Sequence, residues 1–412
     1  MANRKHKPKQ ATPKKVEEAH HRNEFMLHFN KWMDDLANDN VSQLIPKHEY
    51  DFIYKTRIQS VKIINSSACS VSSDVFNEFK ECHTAMLKIN QIEFTSDDDE
   101  MKAMSFYHFF TIGLTIHEYV TRLTETKFAG AKLIIDKLKD FTFCVEHEAY
   151  PKVSTEYSNL LNMLCIMHSN LQTQTLTYNI HFKTELNGKL GARFCVELTG
   201  LKSEKINILL DDHHRPVIRL GIVEHGPEPR YDYISITAAQ LNLNSHQLFS
   251  VYIQAHAFNR LTERIDGVFD GLLHVDLYRS FKNLKFHTDK QGGYLFEFTI
   301  NQVKVGYFKG EIIGENIVLR TFLFLTNNGT PEGKKLHANT GIMKEDKIYL
   351  TIDKLSTFVN SDIANNEQLK QVFIDAGCES LFKIDKNYFY QEGGIKTKAI
   401  ADHIAHYLKL DA

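Results

Sequence analysis

The chain contains 412 residues, of which 49 are Lys or Arg and 51 are Asp or Glu, so its formal net charge at pH 7 is −2. Its apolar fraction of 42% and its charged fraction of 24% are ordinary for a folded globular protein. This composition excludes collagen-like, low-complexity and largely disordered chains, and it excludes a nucleic-acid binder that depends on a strongly basic chain as a whole.

The N-terminal part is expected to contain a basic arm and a helical domain. Residues 1–15 carry six Lys or Arg and no acid, which predicts a disordered arm that either solubilises the protein or contacts nucleic-acid phosphates. In residues 16–170, apolar side chains recur at three- and four-residue steps, which predicts helices. These helices are expected over residues 16–38 and 73–90, from after the acidic segment 95–100 to residue 124, and over residues 128–139 and 154–170.

Strands are expected from residue 171 onward, because apolar and polar residues begin to alternate there. Asn187-Gly188 predicts a two-residue hairpin turn. The strands should form an antiparallel β meander that fills residues 171–245. Their expected positions are residues 175–184, 192–198, 206–210, 216–223 and 231–236.

The remaining sequence predicts a small α+β block over residues 246–345 and a mostly helical C-terminal region over residues 346–412. In the block, a strand at 248–253 should precede helices at 255–266 and 273–284 and strands at 294–300, 303–308 and 317–326. In the tail, a strand is expected at 347–352, with helices at 353–362, 366–376 and 396–409. The predicted fold class is therefore α+β.

The densest group of chemically useful residues lies on the predicted helix 255–266. At 100° per residue, an apolar face is formed by Ala257, Phe258, Leu261, Ile265 and Val268. The adjoining face carries one imidazole, two guanidiniums and one carboxylate, from His256, Arg260, Arg264 and Glu263. Two interpretations are open: a phosphate or RNA site, or an ordinary Arg260–Glu263 surface ion pair beside a His that caps the helix or packs on the strand.

Metal-independent RNA cleavage could use such a stripe. The reaction needs a group that takes a proton from the 2′-hydroxyl, a group that protonates the leaving 5′-oxygen, and positive charge on the phosphate. Histidine titrates near neutral pH and can perform either proton transfer, whereas Arg presents a planar fork that matches phosphate oxygens.

The run His256-Ala257-x-x-Arg260-x-x-x-Arg264, entered from a short strand, resembles small bacterial RNase toxin domains with an H-A-x-x-R-x-x-x-R helix. These domains belong to the RelE/BrnT-like, barnase–EndoU-type group. The resemblance covers residues 254–326. It implies an RNase-like α+β domain with one or two helices ahead of a small antiparallel sheet, and it implies His and Arg side chains that act on RNA.

Residues on the last predicted strand of the block could complete the site. Arg320 lies among apolar neighbours, where a charge is costly unless it is paired. It would hold a phosphate, or else form a buried ion pair with Glu297 or Glu311. Thr321 is a further candidate for substrate binding and is expected on the opposite face of the strand.

The segment Thr330-Pro331-Glu332-Gly333-Lys334-Lys335 predicts a helix start with Thr330 as its cap and Pro331 in the first turn. Free backbone N–H groups together with Lys334 and Lys335 could hold an anion of the substrate. The alternatives are a plain capped helix with exposed lysines, and a mobile lid.

Two other motifs are weaker predictions. The run Asp211-Asp212-His213-His214 contains metal-ligand residue types but lies in one predicted turn, so no metal site is expected. Arg22-Asn23 and His28 match the R-x4–6-H motif of HEPN RNases. On a helix the two side chains should lie about 120° apart, which is a poor arrangement for one site.

The cysteines and the N-terminus favour a cytoplasmic protein. The six cysteines do not form a C-x-x-C motif. The N-terminus lacks an apolar signal segment, and the sequence has no run of 18 apolar residues. We therefore expect no membrane association, no cofactor and no metal.

The expected function is metal-independent RNA cleavage by a toxin or phage-defence effector. His256 would be the general acid or base, and Arg260, Arg264 and Arg320 would hold the phosphate. RNA and an antitoxin-like protein are the expected partners. A non-catalytic RNA- or protein-binding module and a structural or assembly protein remain alternatives.

Overall fold

The computed structural model describes residues 13–95, 101–186, 189–224, 228–288, 292–389 and 399–410. The chain forms two compact units. The first unit contains Met1–Leu164 and Tyr178–Thr199, and the second contains Cys165–Thr177 and Gly200–Ala412. Both helices and sheets are present, with helices at the N-terminus and in the C-terminal tail, which confirms the predicted α+β class.

The helices of the first unit agree in most places with the predicted ones. They are α1 Pro13–Ala37, α2 Lys47–Thr56, α3 Ser73–Ile89, α4 Phe106–His108, α5 Leu114–Thr121, α6 Ala131–Phe143 and α7 Tyr150–Met167. A π-helical turn, Phe109–Gly113, connects α4 to α5, and a second one, Cys144–Ala149, connects α6 to α7. Helix α2 was not predicted. Helix α1 begins inside the expected basic arm, of which residues 1–12 lie outside the described part of the chain.

The strands of the first unit are β1 Ile58–Asn65, β2 Gln91–Thr95, β3 Met101–Ser105, β4 Thr175–Leu186 and β5 Lys189–Leu201. They form a sheet in the order β1–β5–β4 and a separate β2–β3 hairpin. Strand β1 runs parallel to β5. The core contains fully buried Phe29, Met33, Phe79 and Phe109, so burial of these large apolar side chains stabilises the packing of α1 and α3.

The helix expected from after the acidic segment 95–100 to residue 124 is wrong in its first residues. Residues 96–100 lie outside the described chain, and Met101–Ser105 is strand β3, which pairs with β2 through a complete antiparallel register. The helix begins at Phe106, because the Ser105 hydroxyl accepts the backbone N–H of His108 at 3.2 Å. Pairing of Met101–Ser105 with β2 therefore delays the helix start to Phe106.

The second unit contains the rest of the elements. Its strands are β6 Lys205–Leu210, β7 His213–Arg219, β8 Gly221–Glu224, β9 Arg230–Tyr233, β10 Ser235–Thr237, β11 Leu248–Gln254, β12 Phe286–Thr288, β13 Tyr294–Ile300, β14 Val303–Ile313 and β15 Asn316–Phe324. Its helices are α8 Ala255–Arg264, α9 Asp270–Lys282, α10 Pro331–Thr340, α11 Lys344–Tyr349, α12 Leu355–Val359, α13 Glu367–Asp375 and α14 Ala401–Tyr407.

One large sheet organises the second unit. Its order is β12–β13–β14–β15–β11–β7–β6, and β10 pairs with the end of β11. Strand β11 is parallel to β15, and the other pairs are antiparallel. Helices α8 and α9 pack on one face, where Phe258, Leu261 and Leu319 are fully buried in a single core. The other face carries a smaller core of Ile208, Leu210, Val217, Tyr252 and Val318.

The strands that were predicted as one meander are divided between several sheets, so the meander is wrong. Strands β4 and β5 belong to the first unit, β6 and β7 to the large sheet, and β8 pairs with β9. Periodicity in a sequence finds a strand but not its partner, because backbone pairing is decided by distant residues. The Asn187-Gly188 turn lies outside the described residues.

The strand expected over residues 347–352 is also wrong, because helix α11 covers its first half, residues 347–349, and turns follow. The Asp346 carboxylate accepts the backbone N–H of Met343 at 2.7 Å, which caps the helix start. Lys347 is buried, and its ammonium donates to the backbone oxygen of Thr326 at 2.7 Å. The helices expected at 353–362 and 366–376 are present in shorter form. The helix expected at 396–409 is observed as α14, and residues 396–398 lie outside the described chain.

Within the described residues, no helix combines the length and the apolar character that crossing a lipid bilayer requires.

Candidate functional site

The helix that carries the predicted catalytic stripe is present, with the expected buried face. Ala257, Phe258 and Leu261 are fully buried on α8. Arg260 forms an ion pair with Glu263 at 2.6 Å, and both side chains are about 40% exposed (42% and 44%). His256 is exposed on the same helix. The Arg260–Glu263 contact is therefore the ordinary surface ion pair that the sequence left open as an alternative.

The second guanidinium of the stripe is also neutralised. Arg264 forms an ion pair with Asp353, and its Nη2 lies 3.4 Å from a carboxylate oxygen of Glu263. Its side chain is only 16% exposed. A buried guanidinium that already has a carboxylate partner gains little from a phosphate, because binding would first break the existing pair.

Arg320 lies on the other face of the sheet from α8, so the structure does not bring it to the stripe. Lys309 pairs with Thr321 and Gly310 with Leu319, which leaves Arg320 as the extra residue of a β-bulge. Leu319 packs in the core under α8, whereas the neighbouring Val318 packs in the opposite core.

The guanidinium of Arg320 forms ion pairs with Glu311 and Asp211, so the predicted pair with Glu311 is present. Asp211 follows directly after β6, beside the core of that opposite face. Thr321 pairs with Lys309 across the same bulge.

The segment before α10 is a buried cap and not a mobile lid. Thr330 is fully buried, and its hydroxyl accepts the N–H of Gly333 at 2.9 Å and donates to the carbonyl of Leu325 at 2.7 Å. Lys334 and Lys335 are exposed on the helix surface. The predicted capped helix is therefore confirmed, and tight backbone anchoring contradicts a lid.

A second location emerges in the first unit. A cavity of about 1450 Å³ opens there, lined by elements from α1, α2, β1, α4 and β5. We call it the basic–aromatic groove. Its lining residues are Glu17, Glu18, Ala19, His21, Arg22, Asn23, Glu24, Phe25, His28, Asp51, Tyr54, Lys55, Arg57, Ile58, Gln59, Ser60, Tyr107, His108, Thr111, Ile112 and Arg193. It exceeds the usual 300–1,000 Å³ of small-ligand pockets, so it has room for an extended polymer.

Two histidines face each other in the groove. The ring centroids of His28 and His108 are 5.1 Å apart. His28 comes from α1, and His108 ends α4, so the chain folds two distant segments to form the pair. We call it the imidazole pair. Both residues of the R-x4–6-H motif, Arg22 and His28, line this cavity, although Arg22 is paired with Asp51.

Hydrogen bonding orients the His108 ring. Its Nδ1 lies 3.1 Å from the Ser105 hydroxyl, which also accepts the backbone N–H of His108. The ring is flanked by Trp32 and Tyr107, with centroids at 6.0 and 5.6 Å. Since Ser105 occupies Nδ1, Nε2 is the nitrogen left to exchange a proton.

The environment of the imidazole pair lowers the proton affinity of His108. Burial lowers the pKa of His108, and the positive charges of His28 and Lys31 lower it further. The neutral form of His108 is therefore favoured, and this is the form that a catalytic base requires.

Two guanidiniums line the same groove without a carboxylate partner. The guanidinium of Arg57 lies 3.7 Å from the ring centroid of Tyr54 and donates to the Tyr54 carbonyl. Arg193 donates to the side-chain oxygen of Gln59, its direct neighbour across the β1–β5 pairing. In the part of the chain that the structure describes, neither Arg57 nor Arg193 forms a salt bridge.

These two arginines, the guanidinium pair, have no carboxylate in ion-pair contact among the described residues. Burial lowers the pKa of Arg57 first of all; Tyr54 and Glu18 oppose this effect, and the positive charge of Arg193 adds to it. The Nε of Arg193 is buried and has no hydrogen-bond partner. Two mutually repelling cations, one with an unused buried donor, form a site that an anion would stabilise.

Aromatic rings and carboxylates complete the groove. Tyr54 and Tyr107 present rings on which flat groups could stack, and Glu18 lies close enough to raise the pKa of Arg57. The carboxylate of Asp51 is occupied by Arg22. Tyr107 and His108 stand directly before the π-helical turn that connects α4 to α5, and π-helical insertions occur frequently at functional sites.

The sequence contained only part of the signal for this groove. His28 is a candidate in the sequence because of its spacing from Arg22, but nothing in the sequence links His28 to His108, which lies in a distant segment. Arg57 follows a helix that was not predicted. Arg193 stands in a strand of apolar residues, the same signal that pointed to Arg320.

Comparison of the chain with family models, with curated proteins and with solved structures gave no match. Among the described residues, no group of three or more His, Cys, Asp or Glu side chains could hold a metal ion. The function is therefore argued from the geometry of the groove.

Proposed function

We propose that the basic–aromatic groove binds single-stranded RNA and cleaves it without a metal ion. The observation that carries this proposal is the presence of an imidazole pair and a guanidinium pair in one cavity. The reaction class is the one expected from the sequence. The reaction assigned to the groove does not use helix α8, whose arginines are paired with carboxylates.

The imidazole pair supplies the two proton transfers. Nε2 of the neutral His108 takes the proton of the 2′-hydroxyl, whose oxygen then attacks the adjacent phosphorus. The bond from phosphorus to the 5′-oxygen breaks, and that oxygen takes a proton from His28. The products are a 2′,3′-cyclic phosphate and a free 5′-hydroxyl. Proton transfer by positioned groups contributes about 10²–10⁴-fold to a rate.

The guanidinium pair stabilises the charge that develops on the phosphate. Arg57 and Arg193 would donate to its non-bridging oxygens, and the unused Nε of Arg193 provides a donor that the folded protein does not satisfy by itself. Stabilisation by such preorganised donors is usually the largest catalytic contribution. Stacking of bases on Tyr54 and Tyr107 would hold a single strand and read little of its sequence.

Cleavage of a labelled RNA oligonucleotide in EDTA tests the proposal. The wild type should release fragments with 2′,3′-cyclic phosphate ends, identified by mass spectrometry. A DNA strand of the same sequence should stay intact, because it lacks the attacking hydroxyl. His28→Ala and His108→Ala should each lower the rate by about 10²–10⁴-fold, whereas the exposed His246→Ala serves as a matched control without loss.

Two further variants locate the site. Arg193→Lys keeps the charge but removes the planar fork, so it should lose most of the activity that Arg193→Gln loses. His256→Ala should cleave like the wild type. The groove would be ruled out as the active site if His256→Ala abolished cleavage while His108→Ala, folded as judged by circular dichroism, cleaved normally. RNA binding without any cleavage would remove the catalytic part of the proposal.

A further inference from the structure

A second cavity of the first unit, of about 310 Å³, shares Ile58 with the basic–aromatic groove but is not lined by the imidazole or guanidinium pairs. Its floor is apolar and is formed by Leu114, Ile58 and Val145. The volume is at the lower end of the range for small-ligand sites. Val145 and the neighbouring Glu146 belong to the second π-helical turn. An irregular helix turn at a cavity wall is a frequent feature of binding sites.

Three aromatic rings form the walls of this cavity. Phe182 and Phe194 lie with their ring centroids 4.8 Å apart, and Phe194 is held in turn by Phe110 at 5.4 Å. Tyr150 lines the cavity from α7. Phe182 is 51% exposed and Tyr150 49% exposed. Large exposed aromatic side chains gathered around a cavity indicate a surface that a ligand covers.

The mouth of the cavity is acidic. Glu118 is occupied by Arg122 at 2.8 Å. Glu146 has imidazoles as its nearest basic groups, at 4.0 Å from His117 and 3.8 Å from His147. Among the residues with described positions, Glu146 has no Lys or Arg in ion-pair contact.

The imidazole closest to the cavity does not neutralise Glu146 at neutral pH. Burial lowers the pKa of His117 despite the opposing effect of Glu146 and Glu118. The carboxylate of Glu146 therefore lies beside three aromatic rings without a Lys or Arg partner among the described residues.

We propose that this cavity binds a methylated ammonium group. The faces of aromatic rings attract cations, and cages of such rings are used to recognise quaternary ammonium ions. Methyl groups suit the apolar floor, and the positive charge would compensate Glu146. A neutral apolar ligand would instead cover the carboxylate without any compensation, which is unfavourable.

Isothermal titration of the full chain with choline tests the site. Its neutral isostere, 3,3-dimethyl-1-butanol, has the same shape without the charge and should bind at least about tenfold more weakly. Phe182→Leu keeps an apolar side chain but removes a ring face, and Glu146→Gln removes the charge. Each should weaken choline binding by about three- to tenfold. Glu81→Gln, an exposed residue on α3, is the matched control and should bind like the wild type.

A parallel titration distinguishes two sources of the methylated ammonium group. It compares a short peptide that carries trimethyl-lysine with the same peptide that carries unmodified lysine. Tighter binding of choline assigns the site to a free small molecule, and tighter binding of the methylated peptide assigns it to a modified protein. The proposal is overturned if choline and its neutral isostere bind equally, if no methylated ammonium binds, or if Glu146→Gln and Phe182→Leu both bind choline unchanged.

Discussion

At His108, burial and two neighbouring cations act in the same direction on one imidazole. Each lowers the pKa, because each disfavours the protonated ring. His108 therefore stays neutral at a pH where an isolated histidine already begins to protonate. Ser105 holds Nδ1, so the neutral ring presents Nε2 to the groove. In the proposed reaction, these features suit His108 to the role of base, with His28 as the acid.

The pH profile of RNA cleavage checks this assignment. The base must be neutral, so the rate should fall as the pH drops through the His108 pKa, which lies below the ordinary value of 6.5. Lys31→Gln removes one of the cations that lower this pKa, so the acidic limb should move to higher pH. The control is Lys62→Gln on β1, which should leave the limb in place. An acidic limb that Lys31→Gln moves to lower pH would contradict the assignment.

At the scale of one element, Thr330 decides where α10 begins. Its buried hydroxyl joins the first turn of the helix to the end of β15 through bonds to Gly333 and Leu325. Removing a cap of this kind costs about 1–2 kcal/mol, and the buried partners would lose their hydrogen bonds as well.

Thr330→Ala should therefore lower the free energy of unfolding by about 1–3 kcal/mol, measured by urea denaturation. Thr330→Ser retains the hydroxyl and should lose less than half as much. RNA cleavage by the folded variants should not change, since Thr330 lies in the second unit and the groove in the first. Equal stability of Thr330→Ala and the wild type would show that the cap bonds contribute nothing.

Helices and strands that are specified by neighbouring residues could be predicted from the sequence. Elements that depend on pairing with a distant segment of the chain could not. Helix α8 was found from the spacing of Ala257, Phe258 and Leu261 alone, because a helix satisfies its own backbone. Strand β1 was missed and β3 was taken for helix, since each gains its hydrogen bonds from another segment.

The same limit applies to the sites. Arg193 and Arg320 both stand in apolar strands, but only the fold shows that carboxylates neutralise Arg320 while Gln59 faces Arg193. Ion pairing depends on side chains from distant strands and loops, and no spacing along the chain records it. The predicted stripe on α8 has residue types similar to those of the groove, but only in the groove do two described arginines lack an ion-pair contact with a carboxylate.

For the whole molecule, a net charge of −2 means that RNA cannot be attracted by the overall charge. The proposed RNA binding would have to come from the local guanidinium pair, and the carboxylates on the α1 side of the groove would limit how many phosphates it holds. Basic RNA binders differ, because many lysines and arginines each neutralise a phosphate and the salt dependence is steep.

The salt dependence of RNA affinity should therefore be shallow. Each phosphate neutralised on a single strand contributes about −0.7 to the slope of log affinity against log salt, so two guanidiniums predict a slope of about −1 to −2. Fluorescence anisotropy with an uncleavable 2′-O-methyl oligonucleotide over a range of salt concentrations measures this slope. The Arg57→Gln, Arg193→Gln double variant should bring it close to zero, while Arg215→Gln on β7 of the second unit leaves it unchanged. A steep slope that survives the double variant would place the RNA on another surface of the chain, because counterion release reports the phosphates that the protein actually contacts.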